Sequence, residues 1–323
     1  MITYAALHRS RSAFVSLTGF TPEAFDSLYS EFAPVHQDRC QRTRVTKRHG
    51  QPRRRVVGGG RRHDHSLQDR LVMALFWLRT YPTYEVTGFF FSLNKTNAED
   101  NVKDILRTLE SMTDFSFERP TKDRKKLRSP QAVMDAFPDV RLVIDAKEQR
   151  LHRPKSDKDN NNQKPYYSGK KKAHTLKNQI AVQPDGKIAA LSRSVPGGAN
   201  HDLTLLRASK LLESLDPEDE AAMMDKGYDG IQKDYPNHRL YLPFKARRNR
   251  PLTEEQKAYN RHLSRYRIVV EHTIAQLNQF QVLAQVFRHA RSGHSNIIRA
   301  VAMLVNRRIQ LRPLKTYSVG AVA

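Results

Sequence analysis

Residues 140–146 read VRLVIDA, and this stretch decides the fold. The mostly apolar segment Val140 to Ile144 has the length of a β-strand and runs directly into Asp145. Strands of this kind are typical of positions buried inside a sheet. We therefore predict that the carboxylate of Asp145 emerges at a sheet edge, where burial stops and a cleft begins.

A second stretch repeats this arrangement. Residues 221–228 read AAMMDKGY, so Asp225 also follows an apolar strand. A third carboxylate, Glu271, lies further along on a predicted helix, between Val270 and Ile274. Two carboxylates at strand ends and one on a crossing helix can hold a pair of magnesium ions, which prefer oxygen ligands. Such a pair activates an attacking oxygen in phosphodiester displacement.

Other interpretations of these acids remain open. Taken singly, each aspartate is explained by a helix N-cap or a turn, and Glu271 by the solvated face of its helix. Asp202 is a rival for Asp225, but it opens a predicted helix, where N-capping accounts for it. Asp229 lies just past the strand and is a second rival. Strand placement favours Asp225.

The segments around these acids predict a mixed α/β domain. The turn at residues 184–187, PDGK, predicts a hairpin between strands at His174–Val182 and Ile188–Val195. The remaining predicted elements are a polar insertion over 147–172, a helix from about 203 to 215, a strand over 240–242 and a long helix from about 253 to 280. This order favours a mixed central sheet with helices on both faces.

The N-terminal part is predicted to be helical. Residues 42–62 carry nine Lys or Arg and no acid, and they are interpreted as a basic linker. From Ser66 to Met112, three helices with short turns favour a helix-turn-helix, or else an ordinary helical bundle. In the first case the third helix would enter the major groove, with DNA contacts from Lys95, Thr96 and Asn97.

Composition points to a polyanionic partner. Lys and Arg number 56 against 33 Asp and Glu, a net charge of +23, which attracts nucleic acid at long range. The alternative is a merely solubilising surface charge. Cys40 is the only cysteine, so the chain can form no internal disulfide. The N-terminus lacks a signal-peptide pattern and no apolar run is long enough to span a membrane, so we expect neither secretion nor membrane insertion.

Two basic clusters lie beside the predicted catalytic strands. Their residues are predicted to contact the DNA backbone, with solvated loops as the alternative. The clusters are Lys170, Lys171 and Lys172, and Lys245, Arg247 and Arg248.

Several motifs give the sequence a specific resemblance. It resembles bacterial insertion-sequence transposases of the DDE superfamily, in the group similar to eukaryotic Harbinger transposases. The matching pieces are VIDA around Asp145, YYSGKKKAHTLKNQ, VPGGANHDLTLL, MMDKGY around Asp225 and RYRIVVEHTIAQLNQF around Glu271. The N-terminal segment LVMALFWLRTYPTYEVTGFFF is similar as well, so the resemblance covers almost the whole chain.

The resemblance implies an RNase H-like catalytic domain with Asp145, Asp225 and Glu271 as its metal-binding triad. Around the glutamate, that family has Tyr, two residues, Arg, three residues, Glu, six residues and Lys. This sequence keeps the pattern at Arg267, which is then expected to bind DNA, and at Glu271. Ser264 stands where the tyrosine would be and Asn278 where the lysine would be, so the phosphate contacts expected from these two positions are in doubt. Asn278 can still donate a hydrogen bond, but it brings no charge to a phosphate.

The implied organisation has four segments: an N-terminal helical element at 1–41, the basic linker at 42–62, the helix-turn-helix domain at 63–120 and the RNase H-like domain at 135–313. The implied activity is cutting at element ends by a metal-activated water and joining of the 3′ hydroxyl to target DNA. Implied cofactors are two magnesium ions, with manganese as an alternative. Implied partners are double-stranded DNA, as terminal repeats and target, and further copies of the chain, in the bacterial cytoplasm at the nucleoid.

Two other functions remain open from the sequence. One is a DNA-binding regulator with an inactive site, against which the presence of all three carboxylates argues. The other is a hydrolytic endonuclease that cuts without joining.

Overall fold

The computed structural model describes residues 1–46, 65–112, 139–154 and 163–311. Its contacts divide the chain into two compact units. The helical unit comprises Met1–Asp114, Asn278–Ala284 and Asn296–Leu311, and the sheet unit comprises Phe115–Leu277, Gln285–Ser295 and Arg312–Ala323. No helix in the described ranges is long and apolar enough to cross a membrane.

The structure contains ten α-helices in the described residues. In chain order they are α1 (Tyr4–His8), α2 (Arg11–Thr18), α3 (Pro22–Thr46), α4 (Leu67–Thr80), α5 (Tyr84–Phe91), α6 (Lys95–Ser111), α7 (Asp202–Ser209), α8 (Glu254–Asn278), α9 (Gln281–Ala284) and α10 (His294–Leu311). The first six lie in the helical unit, as do α9 and most of α10.

Capping side chains fix the starts of α4, α5 and α6. The Ser66 hydroxyl accepts a hydrogen bond from the Asp69 amide at 3.1 Å, and Thr83 accepts one from the Val86 amide at 3.3 Å. Asn94 Oδ1 accepts from the Asn97 amide at 2.8 Å. Each cap satisfies a backbone donor that the first helical turn leaves without a partner.

The division into units differs from the predicted segments in two respects. Residues 42–46, predicted as linker, continue α3, and the rest of the linker lies outside the described residues. The segments Asn278–Ala284 and Asn296–Leu311, predicted within the catalytic domain, have their contacts in the helical unit instead. The apolar face of α10 explains this, because Ile298, Val301 and Val305 are buried there.

The sheet unit contains a mixed sheet in the order β2-β3-β1-β6-β7. Its strands are β1 (Val140–Arg150), β2 (Tyr167–Ser168), β3 (Ala173–Val182), β4 (Ile188–Leu191), β5 (Val195–Pro196), β6 (Ala221–Met224) and β7 (Arg239–Tyr241). Strand β3 runs antiparallel to β1, β2, β4 and β5, whereas β6 runs parallel to β1 and β7. The predicted mixed α/β architecture is therefore confirmed.

Strand β1 faces different surroundings on its two sides. Leu142 and Ile144 lie in a core with Leu206 of α7, Met224 of β6 and Tyr228. Successive side chains of a strand point to opposite faces, so Val143, Asp145 and Lys147 share the other face. That face meets α8, since Arg267 reaches Asp145. Asp145 thus lies on the face opposite the apolar core, within reach of α8.

Three predicted element boundaries are corrected. Residues 147–150, predicted as part of a polar insertion, extend β1 through antiparallel pairing with β3. The strand predicted over 188–195 is two short strands, β4 and β5. The helix predicted over 203–215 ends at Ser209, and a 3₁₀ turn, Leu211–Ser214, follows it.

Candidate active site

Two of the predicted carboxylates meet at neighbouring strands. In the parallel pair β1 and β6, Ile144 lies opposite Met224. Asp145 and Asp225 are the residues that directly follow this pair along the two neighbouring stretches of backbone. Asp145 still pairs with Ile180 of β3, whereas β6 has ended before Asp225. The backbone register of the sheet therefore brings together two acids that are distant in sequence.

Arg267 of α8 connects these two acids. Its Nη2 lies 3.3 Å from Asp145 Oδ2, and its Nη1 lies 3.6 Å from Asp225 Oδ1. The Arg267 side chain is 13% exposed, against 23% for Asp145 and 40% for Asp225. Two carboxylates thus converge on one cationic group at the boundary between protein and solvent.

Glu271 lies one helical turn beyond Arg267, at the i, i+4 spacing that places both on the same side of α8. Its side chain is exposed, while Val270 and Thr273 on the same helix are buried. Among the described residues, the oxygens of Asp145, Asp225 and Glu271 do not all lie within 4.8 Å of one another. The structure therefore assembles the aspartate pair and leaves the glutamate at its edge.

The electrostatic setting of Asp145 disfavours its charge. Burial raises the pKa of the Asp145 carboxyl, and the negative charges of Asp225 and Asp202 act in the same direction. A hydrogen bond from the Ala146 amide and the charge of Arg267 oppose this rise in pKa. The pKa stays raised because the charge of Arg267 does not fully offset burial and the neighbouring acids. A bound cation would supply further positive charge beside this carboxylate.

Asp202 has a partner that the sequence does not reveal. His201, rather than Asp202, is the N-cap residue of α7, so the N-cap interpretation of Asp202 is wrong. Asp202 Oδ1 instead lies 3.0 Å from Lys177 Nζ, which is also 3.5 Å from Glu148 Oε1. The Lys177 ammonium therefore compensates the carboxylates of both Asp202 and Glu148.

The buried tyrosine of the MMDKGY motif lies near the same acids. Tyr228 is completely buried, and its pKa is raised by burial and by the charges of Asp202, Asp145 and Asp225. A side-chain hydrogen bond with Gln179 opposes this rise in pKa. Tyr228 therefore adds an uncharged wall to the aspartate pair.

The first basic cluster is accessible. Lys170, Lys171 and Lys172 are all exposed in the turn between β2 and β3, and Lys172 has a left-handed backbone with φ of 46°. The charge of Lys171 reaches Lys147, and burial together with that charge lowers the pKa of Lys147 to about 8. Positive charge therefore extends from the turn onto β1, two residues from Asp145.

The second basic cluster is also exposed. Lys245 Nζ lies 3.1 Å from Asp229 Oδ2, while Arg247 is bridged through its backbone to Arg250. The ion pair gives Asp229 a role on the surface, where its side chain is 60% exposed. This arrangement makes Asp229 a weaker rival for Asp225.

The two residues that depart from the family pattern, Ser264 and Asn278, are uncharged. Ser264 is exposed, and its hydroxyl donates a hydrogen bond to the Asn260 carbonyl oxygen at 2.9 Å, which is a contact within α8. Asn278 is half-buried at the last position of α8.

His294 belongs to a buried polar network. Its Nε2 lies 2.8 Å from Gln149 Oε1 and its Nδ1 lies 2.6 Å from Ser194 Oγ. Burial and the charge of Lys147 lower the pKa of His294 to about 3. A neutral imidazole that donates to Gln149 and accepts from Ser194 satisfies both contacts, which is a structural role.

The helical unit brings together three potential metal ligands, His36, Cys40 and Asp104, whose ligand atoms all lie within 4.8 Å of one another. Asp104, however, is paired with Arg39 and, at 2.6 Å, with Arg70. Two guanidinium groups already compensate this carboxylate. The cluster is therefore better explained as an ion-pair network that joins α3, α4 and α6.

The start of α6 presents the residues predicted to contact DNA. Lys95, Thr96 and Asn97 are all exposed there. Of the acids on this helix, Asp104 is neutralised by its arginines, and Glu99 pairs with Lys103. The first turn of α6 itself carries no acid.

Comparison with known proteins places the chain in a family. The family profile of the DDE superfamily endonucleases matches residues 144–306, which hold both aspartates, Arg267 and Glu271. The chain belongs to this family. A probable transposase for the insertion sequence element IS702 from Microchaete diplosiphon is 33% identical over 249 residues, covering 75% of this chain and 82% of that protein.

Two further similarities are more limited. The transposase for the insertion sequence element IS1106 from Neisseria meningitidis serogroup B is 40% identical over 96 residues, covering 28% of this chain and 31% of that protein. Among solved structures, a pre-cleavage Mos1 transpososome aligns over 75% of this chain and 87% of that one, at 9% identity and a TM-score of 0.23. The resemblance to insertion-sequence transposases expected from the motifs is thus confirmed at the level of the family.

Proposed function

We propose that this chain is a transposase that cuts DNA at the ends of an insertion sequence and joins the freed 3′ hydroxyl to target DNA. The observation that carries the proposal is the convergence of Asp145 and Asp225, from neighbouring parallel strands, on one cationic group. Membership of the DDE endonuclease family supplies the reaction class. An RNase H-like arrangement of the sheet unit is part of the proposal.

The residues fit a divalent metal site. Asp145 and Asp225 already orient carboxylate oxygens toward a shared positive charge, and both present the hard oxygen ligands that magnesium or manganese prefers. Glu271, exposed one turn beyond Arg267, is the proposed third ligand. When bound, one or two such ions would supply Lewis-acid stabilisation of charge on the phosphoryl oxygens.

The remaining groups would position DNA. The exposed lysines 170–172 and the exposed cluster at Lys245, Arg247 and Arg248 are suited to contact backbone phosphates. In the helical unit, we propose that Lys95, Thr96 and Asn97 at the start of α6 contact the element ends as part of a helix-turn-helix. Further proposals are that copies of the chain assemble on paired ends, and that they act at the bacterial nucleoid.

The reaction products distinguish the candidate functions. We expect the wild-type chain, with magnesium and a labelled duplex that carries the element's terminal repeat, to release a 3′ hydroxyl end and then to give longer joined products with a target plasmid. Omitting magnesium should abolish both products.

Each alternative predicts a different result. Cleavage without joined products would identify a hydrolytic endonuclease. Retention of the duplex without any cleavage would identify a DNA-binding regulator, and it would contradict the proposed function.

A further inference from the structure

Arg267 occupies the position at which a catalytic cation is expected. Its two terminal nitrogens reach acids on two separate elements, Asp145 on β1 and Asp225 after β6. Its Nε is buried and has no hydrogen-bond partner in the part of the chain that the structure describes. The two carboxylates are thus its ion-pair partners among the described residues.

The charges at this position do not balance. One guanidinium faces two carboxylates, and the negative charge of Asp202 also reaches Asp145. Lys177, the ammonium nearest to Asp202, is shared with Glu148. The acids therefore retain a net negative charge that a divalent ion would neutralise more completely than an arginine does.

A guanidinium and a divalent ion would compete for the same oxygens. Both are attracted to Asp145 Oδ2 and Asp225 Oδ1, and each repels the other at such short range. Arg267 is an arginine in a half-buried position, so deprotonation cannot relieve this repulsion. Movement of the side chain can relieve it.

We propose that Arg267 is an internal counter-cation, which holds Asp145 and Asp225 together before metal binds and competes with the divalent ion for them. This inference rests on the proposed function, because it assumes that these carboxylates are metal ligands. It assigns Arg267 a positioning and regulatory role in addition to the DNA contact expected from the family pattern.

Calorimetric titration of manganese into the full chain, without DNA, tests the inference. We expect Arg267→Gln to bind manganese on the order of tenfold more tightly than the wild type, since the competing charge is gone. Arg261→Gln is the matched control, because it removes the same charge from an exposed position on the same helix. It should bind manganese with the affinity of the wild type.

Two further variants separate the possible failures. Asp145→Asn should weaken manganese binding; if its affinity equals that of the wild type, the proposed metal site itself is wrong. Arg267→Lys keeps a positive charge but loses the two-armed contact, so its affinity should fall between those of wild type and Arg267→Gln. If Arg267→Gln does not fold, the manganese affinity of Arg267→Lys still tests the inference.

The inference is overturned if removing the guanidinium leaves manganese affinity unchanged or lowers it while Asp145→Asn still weakens binding. If neither the wild type nor the Arg267 variants bind manganese, the proposed function and the inference fall together. Binding by Arg267→Gln alone would support both.

Discussion

At the scale of single residues, the site has more negative charge than its own side chains compensate. Asp145 keeps a raised pKa because it is largely buried and close to Asp225 and Asp202, even though Arg267 lies 3.3 Å away. Groups arranged in this way favour ligand binding at the expense of folding stability. This conflict gives a test that requires neither DNA nor metal.

Asp145→Asn should make the metal-free protein more stable at neutral pH. A carboxyl with a raised folded-state pKa stabilises the fold only while it is protonated, so this contribution is present below the ordinary pKa and is lost as the pH rises through the folded-state value. The amide has no such loss. Thermal unfolding should show a Tm for the variant that is about 2–4 °C higher for each kcal/mol gained.

The difference in Tm should disappear as the pH falls below the ordinary pKa of an aspartate. Asp229→Asn, on the exposed surface, is the control and should not raise the Tm. An Asp145→Asn protein that is less stable than the wild type at neutral pH would show that Asp145 has a structural role.

Sequence alone predicts the carboxylates of this site better than their partners. Asp145 and Asp225 are marked by the apolar strands that precede them, and that signal is local. The contacts of Lys177 with Glu148 and Asp202 join residues on three elements, so no local pattern reports them. Lys177 does lie in the motif YYSGKKKAHTLKNQ, which was the one available signal.

At the scale of elements, close packing fixes the turn between α5 and α6. A Cβ atom added to Gly88 would lie 2.4 Å from the backbone oxygen of Leu93, which cannot move without breaking the turn. The Leu93 amide donates to the Gly88 carbonyl oxygen at 2.8 Å across the same turn. Gly88 therefore sets how α6, with its exposed first turn, follows α5.

Gly88→Ala should destabilise the protein by about 1–3 kcal/mol, because the added methyl group overlaps backbone atoms. Chemical denaturation should detect this change as a lower midpoint. Gly169→Ala is the matched control, since a Cβ there meets nothing within 4 Å. Equal effects of the two substitutions would contradict the packing argument.

The sequence predicts the boundaries of elements that local residues determine. It does not predict boundaries that depend on pairing with a strand distant in sequence. Ser66 marks a predicted helix start in the sequence, and α4 begins directly after it. Strand β1, by contrast, continues to Arg150 because Arg150 pairs with Thr175 of β3. Polar residues between 147 and 150 predict a loop until that distant partner is known.

At the scale of the whole molecule, sequence order and structural grouping diverge. The segment after α8 has an apolar pattern that suits either unit, and its contacts place Asn278–Ala284 and Asn296–Leu311 in the helical unit. The net charge of +23 is a property of the entire chain and agrees with a polyanionic partner, but it does not say which surface binds. The proposed cleavage reaction is therefore best tested by substituting the carboxylates of the proposed triad.

The most direct test of the central claim compares five single variants in magnesium-dependent cleavage of the labelled terminal-repeat duplex. Asp145→Asn, Asp225→Asn and Glu271→Gln should each reduce cleavage more than a hundredfold, since the loss of a ligand removes several kcal/mol of transition-state stabilisation. Asp219→Asn and Glu255→Gln, which are exposed and lie outside the proposed site, should cleave as the wild type does. All five should still bind the duplex, measured by fluorescence anisotropy, and undiminished cleavage by any of the first three would contradict the proposed triad.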